Sequence, residues 1–411
     1  MNQKVLIKGG WVLTLGAKTP NHTGADVLIE NGRISEVGSG LRERGADVVD
    51  GTGSVVMPGF VDTHRHVARS LYRNTGELST VEPSHYQPDD MYAATLIGLL
   101  GAVETGITTV VDWVDAPDAA TLEAALEAHR DSGVRGVTVH GELREAGGLT
   151  TTSFASSDVK DVHRHVIPTQ WEKARSAGSR IHAHAGVEEA DKGTVSDLRE
   201  LLAHDVTLVH CSKLDDEDLE AVAFSGASVV ITPASEMAGG MGAPQVQQLI
   251  DRNIRPGLGV DDERVAPGDI FAQMRATISL QHATYFDLKL AGKGGLPNLL
   301  KTRDVIRYAT VDGARAVGLH EETGSIEPGK RADIVVLKGD SPNIFPINDP
   351  IGAVVWGMDT SNVEWVFVEG RAVVSHGALN ADIQKTRSLA IQAQRRVATA
   401  AGISAAAGDS A

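Results

Sequence analysis

A single cysteine, Cys211, is all that 411 residues contain. That excludes a disulfide within the chain and any cysteine-built zinc cluster. Basic charge is also in short supply. Lys and Arg number 38 against 54 Asp and Glu, for a formal net charge of −16. Nucleic acid and anionic membranes both demand a basic face, so neither is an expected partner. No apolar run is long enough to span a bilayer. The opening Met1-Asn2-Gln3-Lys4-Val5-Leu6-Ile7 runs straight into a strand pattern, without the apolar core and cleavage site of a secretory leader. The expectation is a cytoplasmic protein with a small-molecule substrate. Hydrophobic residues at 42% and charged residues at 22% are ordinary for a globular enzyme. The length suffices for one large α/β barrel and a smaller second domain.

Residues 1–57 read as all-β. Val5-Leu6-Ile7-Lys8 and Trp11-Val12-Leu13-Thr14 flank Gly9-Gly10, a hairpin signal, and Asn31-Gly32 is a stronger one. From residue 58 to 321 strands and helices alternate, which predicts a parallel sheet closed into a (β/α) barrel of the TIM type. Seven strands can be counted, near residues 60, 109, 137, 181, 208, 230 and 258. Between Glu142 and Asp158 the sequence is rich in Gly, Thr and Ser with no convincing strand, so the barrel is expected to lack or distort its fourth strand. Over 322–382 the all-β texture returns, with strands expected at Gly324-Ser325-Ile326, Ala332 to Leu337, Val354-Val355-Trp356 and Val363 to Val368, and Glu369-Gly370 as a turn. These would complete a small β-sandwich built from both chain ends. Residues 383–411 read as a polar, Ala-rich helix followed by a disordered tail.

The chemistry gathers at strand ends. Pro58-Gly59-Phe60-Val61-Asp62-Thr63-His64-Arg65-His66 ends a strand in two histidines one residue apart. Residues two apart on a strand share a face, so His64 and His66 present paired imidazoles to a borderline-soft divalent metal. Later strands end in His184, His210 and Asp261. In a parallel barrel those ends share one face, the face where catalytic groups sit. Each has a bland alternative, such as a core histidine for His210 or a helix cap for Asp261, but together they point to a metal site. His182 lies a layer below His184 and reads as support. His163 and His165 are two apart on a helical stretch, about 200° around the axis, and read as surface. His140 ends a strand and is a candidate substrate contact. Cys211 points away from His210 and reads as packing.

These motifs resemble the amidohydrolase superfamily, in the branch of cytosine deaminase and the triazine hydrolases. The resemblance runs over nearly the whole chain. Met57 to His66, Gly106-Ile107-Thr108-Thr109-Val110-Val111-Asp112, Leu208-Val209-His210 and Gly324 to Asp333 all carry it. It implies that His64, His66, His184 and Asp261 hold one divalent metal, zinc foremost and iron second. His210 would stand just off the metal and orient the attacking water or polarise the scissile group, and Asp261 would also take the proton of that water. No lysine ends the fourth strand position, which argues against a carbamate-bridged pair of metals. The family also allows a homodimer.

Two positions depart from the branch. A glutamate three residues after the fifth-strand histidine shuttles protons to the ring in its deaminases; here that position is Val187, followed by Glu188 and Glu189. Glu188 is the candidate replacement. Glu236, in Thr232-Pro233-Ala234-Ser235-Glu236, stands where deaminases commonly have asparagine and is a candidate substrate contact. The expected activity is hydrolysis of a C–N bond, amide- or amidine-like, in a small heterocycle or cyclic amide. The alternatives are a non-hydrolytic elimination or dehydration at the same metal, in a biosynthetic pathway, and a degenerate binding protein.

Overall fold

The structure is a computed structural model that describes residues 4–42, 45–76, 81–143, 146–160 and 163–403. The expected disordered tail lies mostly outside the described residues.

Two sheets organise the chain. The first is one continuous mixed sheet of nine strands drawn from both ends. In spatial order it runs Ala378–Leu379, Arg371–Ser375, Val363–Val368, Ile334–Leu337, Val55–Pro58, Lys4–Val12, His22–Glu30 and Arg33–Gly38, with Asp47–Asp50 also pairing to Lys4–Val12. Its inward side chains, among them Val5, Ile7, Val27, Ile29, Ile334, Val336 and Phe367, form one cluster. Asn31-Gly32 and Glu369-Gly370 are hairpin turns as expected, each with both residues at positive φ.

Gly9-Gly10 is not a turn. Lys4–Val12 is one strand, and the glycines form an irregularity inside it. A Cβ on Gly10 would stand 2.6 Å from Val56 Cγ2. The bulge lets one strand pair with Asp47–Asp50 along its first half and with Val55 and Val56 along its second. Val354-Val355-Trp356 is also not a strand. Ala353–Gly357 is a widened helical turn that continues from Pro350–Gly352, where Asp349 accepts from the Ile351 N–H. Gly324-Ser325-Ile326 is irregular, although the Ile326 N–H bonds the Thr14 carbonyl at 2.8 Å.

The second sheet is the barrel. Its eight parallel strands are Phe60–Arg65, Ile107–Trp113, Arg135–His140, Thr150–Ala155, Ile181–Ala185, Val206–His210, Ser228–Ile231 and Gly257–Leu258, each hydrogen-bonded to the next. The fourth strand is therefore present. Thr150–Ala155 pairs with Gly136 to His140 on one side and with Ile181 and His182 on the other. The ring closes beyond the short eighth strand, where Asp261 N–H donates to the His64 carbonyl at 2.9 Å and His66 N–H donates to the Asp261 carbonyl at 3.0 Å. Closure thus joins three site residues by backbone bonds.

Gly59 is the hinge between the sheets, since it separates Val55–Pro58 from Phe60–Arg65. A Cβ there would lie 2.1 Å from Thr108 Cγ2. Gly59→Ala is expected to cost about 1–3 kcal/mol by overpacking, read as a lower urea midpoint at unchanged slope. The sheets are also tied by Asp333, fully buried, which takes Arg135 at 2.6 Å and accepts from the Glu369 N–H. The C-terminal helix Ile383–Ala400 packs Ala393 and Val397 against the helix Pro88–Glu104, and Arg396 pairs with Asp90 at 2.6 Å. Among the described residues, no helix is long and apolar enough to cross a membrane.

Candidate metal centre

Alternation places only part of the site. His64 near the end of the first barrel strand and His66 just past it meet His184, with the strand's register shifted between Asp62 and Arg65, and on the fifth strand Ala183 packs outward between His182 and His184. His210 breaks the rule. On its strand Val209 packs with Val230 and Ala316, and Leu208 packs with the outer core. Strict alternation would carry His210 outward with Leu208. Its backbone turns left-handed instead, at φ 75°, and so does Asp261 at φ 64°. Left-handed non-glycine residues cost energy and concentrate at functional sites.

The converging atoms are close. His64 Nε2 is 3.4 Å from His184 Nε2 and 3.6 Å from Asp261 Oδ1, and His66 Nε2 is 3.7 Å from the same oxygen. Two groups meet ligand-cluster geometry among the described residues, His64–His66–His184 and His64–His210–Asp261. Ligands bonded at about 2.0–2.2 Å in a tetrahedron stand about 3.4 Å apart.

The ring nitrogens on the far side explain why the near ones are free. His66 Nδ1 is 2.8 Å from Asp115, His184 Nδ1 is 3.4 Å from Asp158, and His210 Nδ1 is 3.2 Å from Glu236. Each carboxylate holds the N–H on Nδ1 and leaves the Nε2 lone pair facing inward. Burial above all holds His64 and His184 below the ordinary imidazole range, so both are neutral. For Asp261 burial opposes the charge, but the His64 hydrogen bond and the surrounding imidazoles outweigh it and keep the carboxyl well below the usual range. His64 Nδ1 has no hydrogen-bond partner among the described residues, and its Nε2 stands within 3.4–3.6 Å of His184 Nε2 and Asp261 Oδ1, a spacing that one cation among them would satisfy. The donor set fits a divalent metal of the zinc type.

A cleft of about 410 Å³ opens over these atoms. Its lining includes Trp113, Val187, Met241 and Ser235, with Arg69, Lys160 and Arg264 as cations. The Trp113 ring lies 4.1 Å, centroid to centroid, from that of His184. Arg69 bridges Asp115 at 3.0 Å and Asp262 at 3.1 Å.

Three expected substrate contacts are not in that lining. His140 is buried and follows Val137 and Val139, which share a cluster with Trp113, so alternation turns it to the other face. Glu188 is 64% exposed and sits on Lys160 at 2.9 Å. Glu236 is fully buried behind His210. His182 is buried a layer below His184, and burial pushes it down to about 3. Cys211 packs in the outer core.

Asp115, Asp158 and Ser235 were not found from sequence. Asp115 and Asp158 follow the second and fourth barrel strands, and the strand-end rule would have reached the first of them. Asp115→Asn is expected to weaken metal binding about 10–100-fold, measured by competition against a chelator of known affinity.

Comparisons with known proteins bear on the chain as a whole. The model of the Amidohydrolase family matches residues 55–373. A 5'-deoxyadenosine deaminase of Methanosarcina mazei is 28% identical, covering 90% of this chain and 92% of its own. A 5-methylthioadenosine/S-adenosylhomocysteine deaminase of Symbiobacterium thermophilum is 26% identical, covering 90% and 93%. Among solved structures, a triazine hydrolase variant superposes with a TM-score of 0.82 at 19% identity, covering 96% of this chain and 99% of its own. An adenosine deaminase from Xanthomonas campestris with bound zinc gives 0.79 at 20% identity, covering 97% and 99%.

Proposed function

We propose, from the premise that this chain belongs to the amidohydrolase family, that it is a metal-dependent hydrolase of a C–N bond in a small heterocycle or cyclic amide. The observation that carries this is the convergence of His64, His66 and His184 with Asp261, whose Oδ1 lies 3.6 Å from His64 Nε2 and 3.7 Å from His66 Nε2. Those four residues would hold one divalent cation, and zinc is the proposed ion. When bound there, such a cation acidifies water to a pKa of about 7 and polarises the scissile group.

The protein's own groups supply the rest. Asp261, ionised and 3.6–3.7 Å from two imidazoles, accepts a proton from the attacking water and passes it to the leaving nitrogen. His210 faces the same cleft and hydrogen-bonds the attacking or departing group. Trp113 offers a flat apolar wall, which suits a planar substrate. The cleft's 410 Å³ is within the range of small-molecule sites.

Purine-nucleoside deamination, the activity named for the relatives, is one arm of the test. Val187, in the cleft wall, occupies the sequence position of the branch's shuttle glutamate, and Glu188 next to it pairs with Lys160. That favours C–N hydrolysis without ring protonation, and it is also the motive for an elimination reading. Metal analysis combined with an ammonia-release screen over purine nucleosides, pyrimidines and aminotriazines, and a ring-opening assay over cyclic amides, tests the proposal. The expected result is about one metal per chain and turnover that a chelator removes and zinc restores. Metal-free, folded protein, or product that takes up no oxygen from labelled water, would contradict it.

A further inference from the structure

The segment after the seventh strand has a geometry of its own. Thr232 leads directly into the short helix Pro233–Ala238. Neighbours on a helix point about 100° apart, so Ser235 and Glu236 diverge toward residues from the sixth and eighth strands, which flank the seventh. Ser235 Oγ donates to Asp261 Oδ2 at 2.7 Å. Glu236 Oε1 meets His210 Nδ1 at 3.2 Å.

Glu236 is itself held on all sides. Oε1 also accepts from the Thr232 N–H at 2.8 Å and the Thr232 hydroxyl at 3.2 Å, and Oε2 accepts from Ser212 Oγ at 3.1 Å. A fully buried carboxylate with donors on both oxygens is a fixed acceptor. The Thr232 hydroxyl also stands 3.3 Å from His210 Nδ1, and with that hydroxyl donating to Glu236 both oxygens face Nδ1 as acceptors, which favours the Nδ1–H toward Glu236 and Nε2 toward the cleft. The left-handed backbone of His210 persists only where its surroundings over-determine it; Glu236 is one such determinant. Ser235 divides the labour of Asp261 in the same way. Oδ2 is occupied by the hydroxyl, and Oδ1 is left toward the imidazoles.

We propose that Ser235 and Glu236 are a paired positioning device, in which one short helical turn sets the rotamer of Asp261 and the tautomer of His210. Neither is a substrate residue. The proposal rests on the hydrolase reading for its kinetic consequence and on the fold alone for its spectroscopic one.

The test uses the zinc-loaded full chain with ¹⁵N-labelled histidine, His210 being assigned by its loss in His210→Asn. The expected spectrum shows His210 protonated at Nδ1 with a hydrogen-bonded, low-field proton, and Glu236→Gln moves or removes that signal. In turnover, Glu236→Gln lowers kcat at least tenfold with KM within about threefold, while zinc stays at one per chain. Glu236→Asp falls between the two. Ser235→Ala lowers kcat several-fold, and Ser235→Thr restores most of it. Should Glu236→Gln not fold, Ser212→Ala removes only the Oε2 contact and is expected to give an intermediate loss.

A His210 proton signal indifferent to Glu236→Gln, or to Ser212→Ala where that variant stands in, overturns the proposal. So does a raised KM at unchanged kcat, which would make these residues substrate contacts. If no substrate is turned over at all, the hydrolase reading fails while the tautomer measurement still decides this one.

Discussion

Asp261→Asn is expected to lower kcat/KM by at least about 10³-fold, about 4 kcal/mol of transition-state stabilisation. The substitution removes the only negative charge among the converging ligands together with the group that accepts the water's proton. Misfolding is a poor explanation in advance. Asp261 is anchored by its backbone to His64 and His66, bonds that the change does not touch. Asparagine also tolerates a left-handed backbone, here φ 64°, as well as any residue but glycine. His64→Ala is expected to be as severe and to lose the metal outright, because His64 belongs to both ligand groups. The measurement is kcat/KM beside metal content and a circular dichroism spectrum. Activity within tenfold of the parent in either variant would remove Asp261 or His64 from the mechanism.

The second large effect is on stability, at Arg65→Ala. Arg65 sits between the metal-ligand histidines in sequence and is fully buried. Its guanidinium lies 3.3 Å from Asp62 and 3.4 Å from Glu263, and it donates to the Gly268 carbonyl at 2.8 Å. Glu263 further joins Ser70 and Arg73, so the guanidinium ties the first strand to the loop after the eighth. Burial already pushes Asp62 up to about 7, against the pull of Arg65. Removing one partner from a buried ion pair costs about 3–5 kcal/mol, because the other charge is left uncompensated. A loss of that size in urea unfolding is the expected result. Adding Asp62→Asn and Glu263→Gln to Arg65→Met should recover a large part of it, since the stranded charges are then gone. A loss below about 1 kcal/mol for Arg65→Ala would show that this network does not hold the first strand to the loop after the eighth.

Much of the site was legible because strand ends concentrate it. His184 follows period-two alternation, and His64 and His66 share a face as their spacing predicts, although the register of their strand shifts between Asp62 and Arg65 and Asp261 has a left-handed backbone. His210 was legible as a strand end, but not as a side chain that depends on a left-handed backbone to turn inward. The strand-end rule overreached at His140, which is buried and outside the cleft lining.

The fourth barrel strand was hidden for a compositional reason. Thr150-Thr151-Thr152-Ser153-Phe154-Ala155 has β-branched residues but almost no apolar ones, so hydrophobic periodicity has nothing to read. Its place is fixed by neighbours on both sides. Asp158 was missed with it, because without that strand nothing marks the residue as following a strand end. Gly9-Gly10 and Val354 to Trp356 failed differently. Local turn and strand propensities were overridden, by a strand that changes partner in the first case and by a capped helical turn in the second.

The central claim is that one divalent cation is held jointly by His64, His66, His184 and Asp261. Anomalous scattering at the zinc edge from a crystal of the zinc-loaded protein tests it most directly. The account predicts a single strong peak among His64 Nε2, His66 Nε2, His184 Nε2 and Asp261 Oδ1, at about 2.0–2.2 Å from each, absent in crystals of His64→Ala. A peak elsewhere, or none there at stoichiometric zinc, would contradict it.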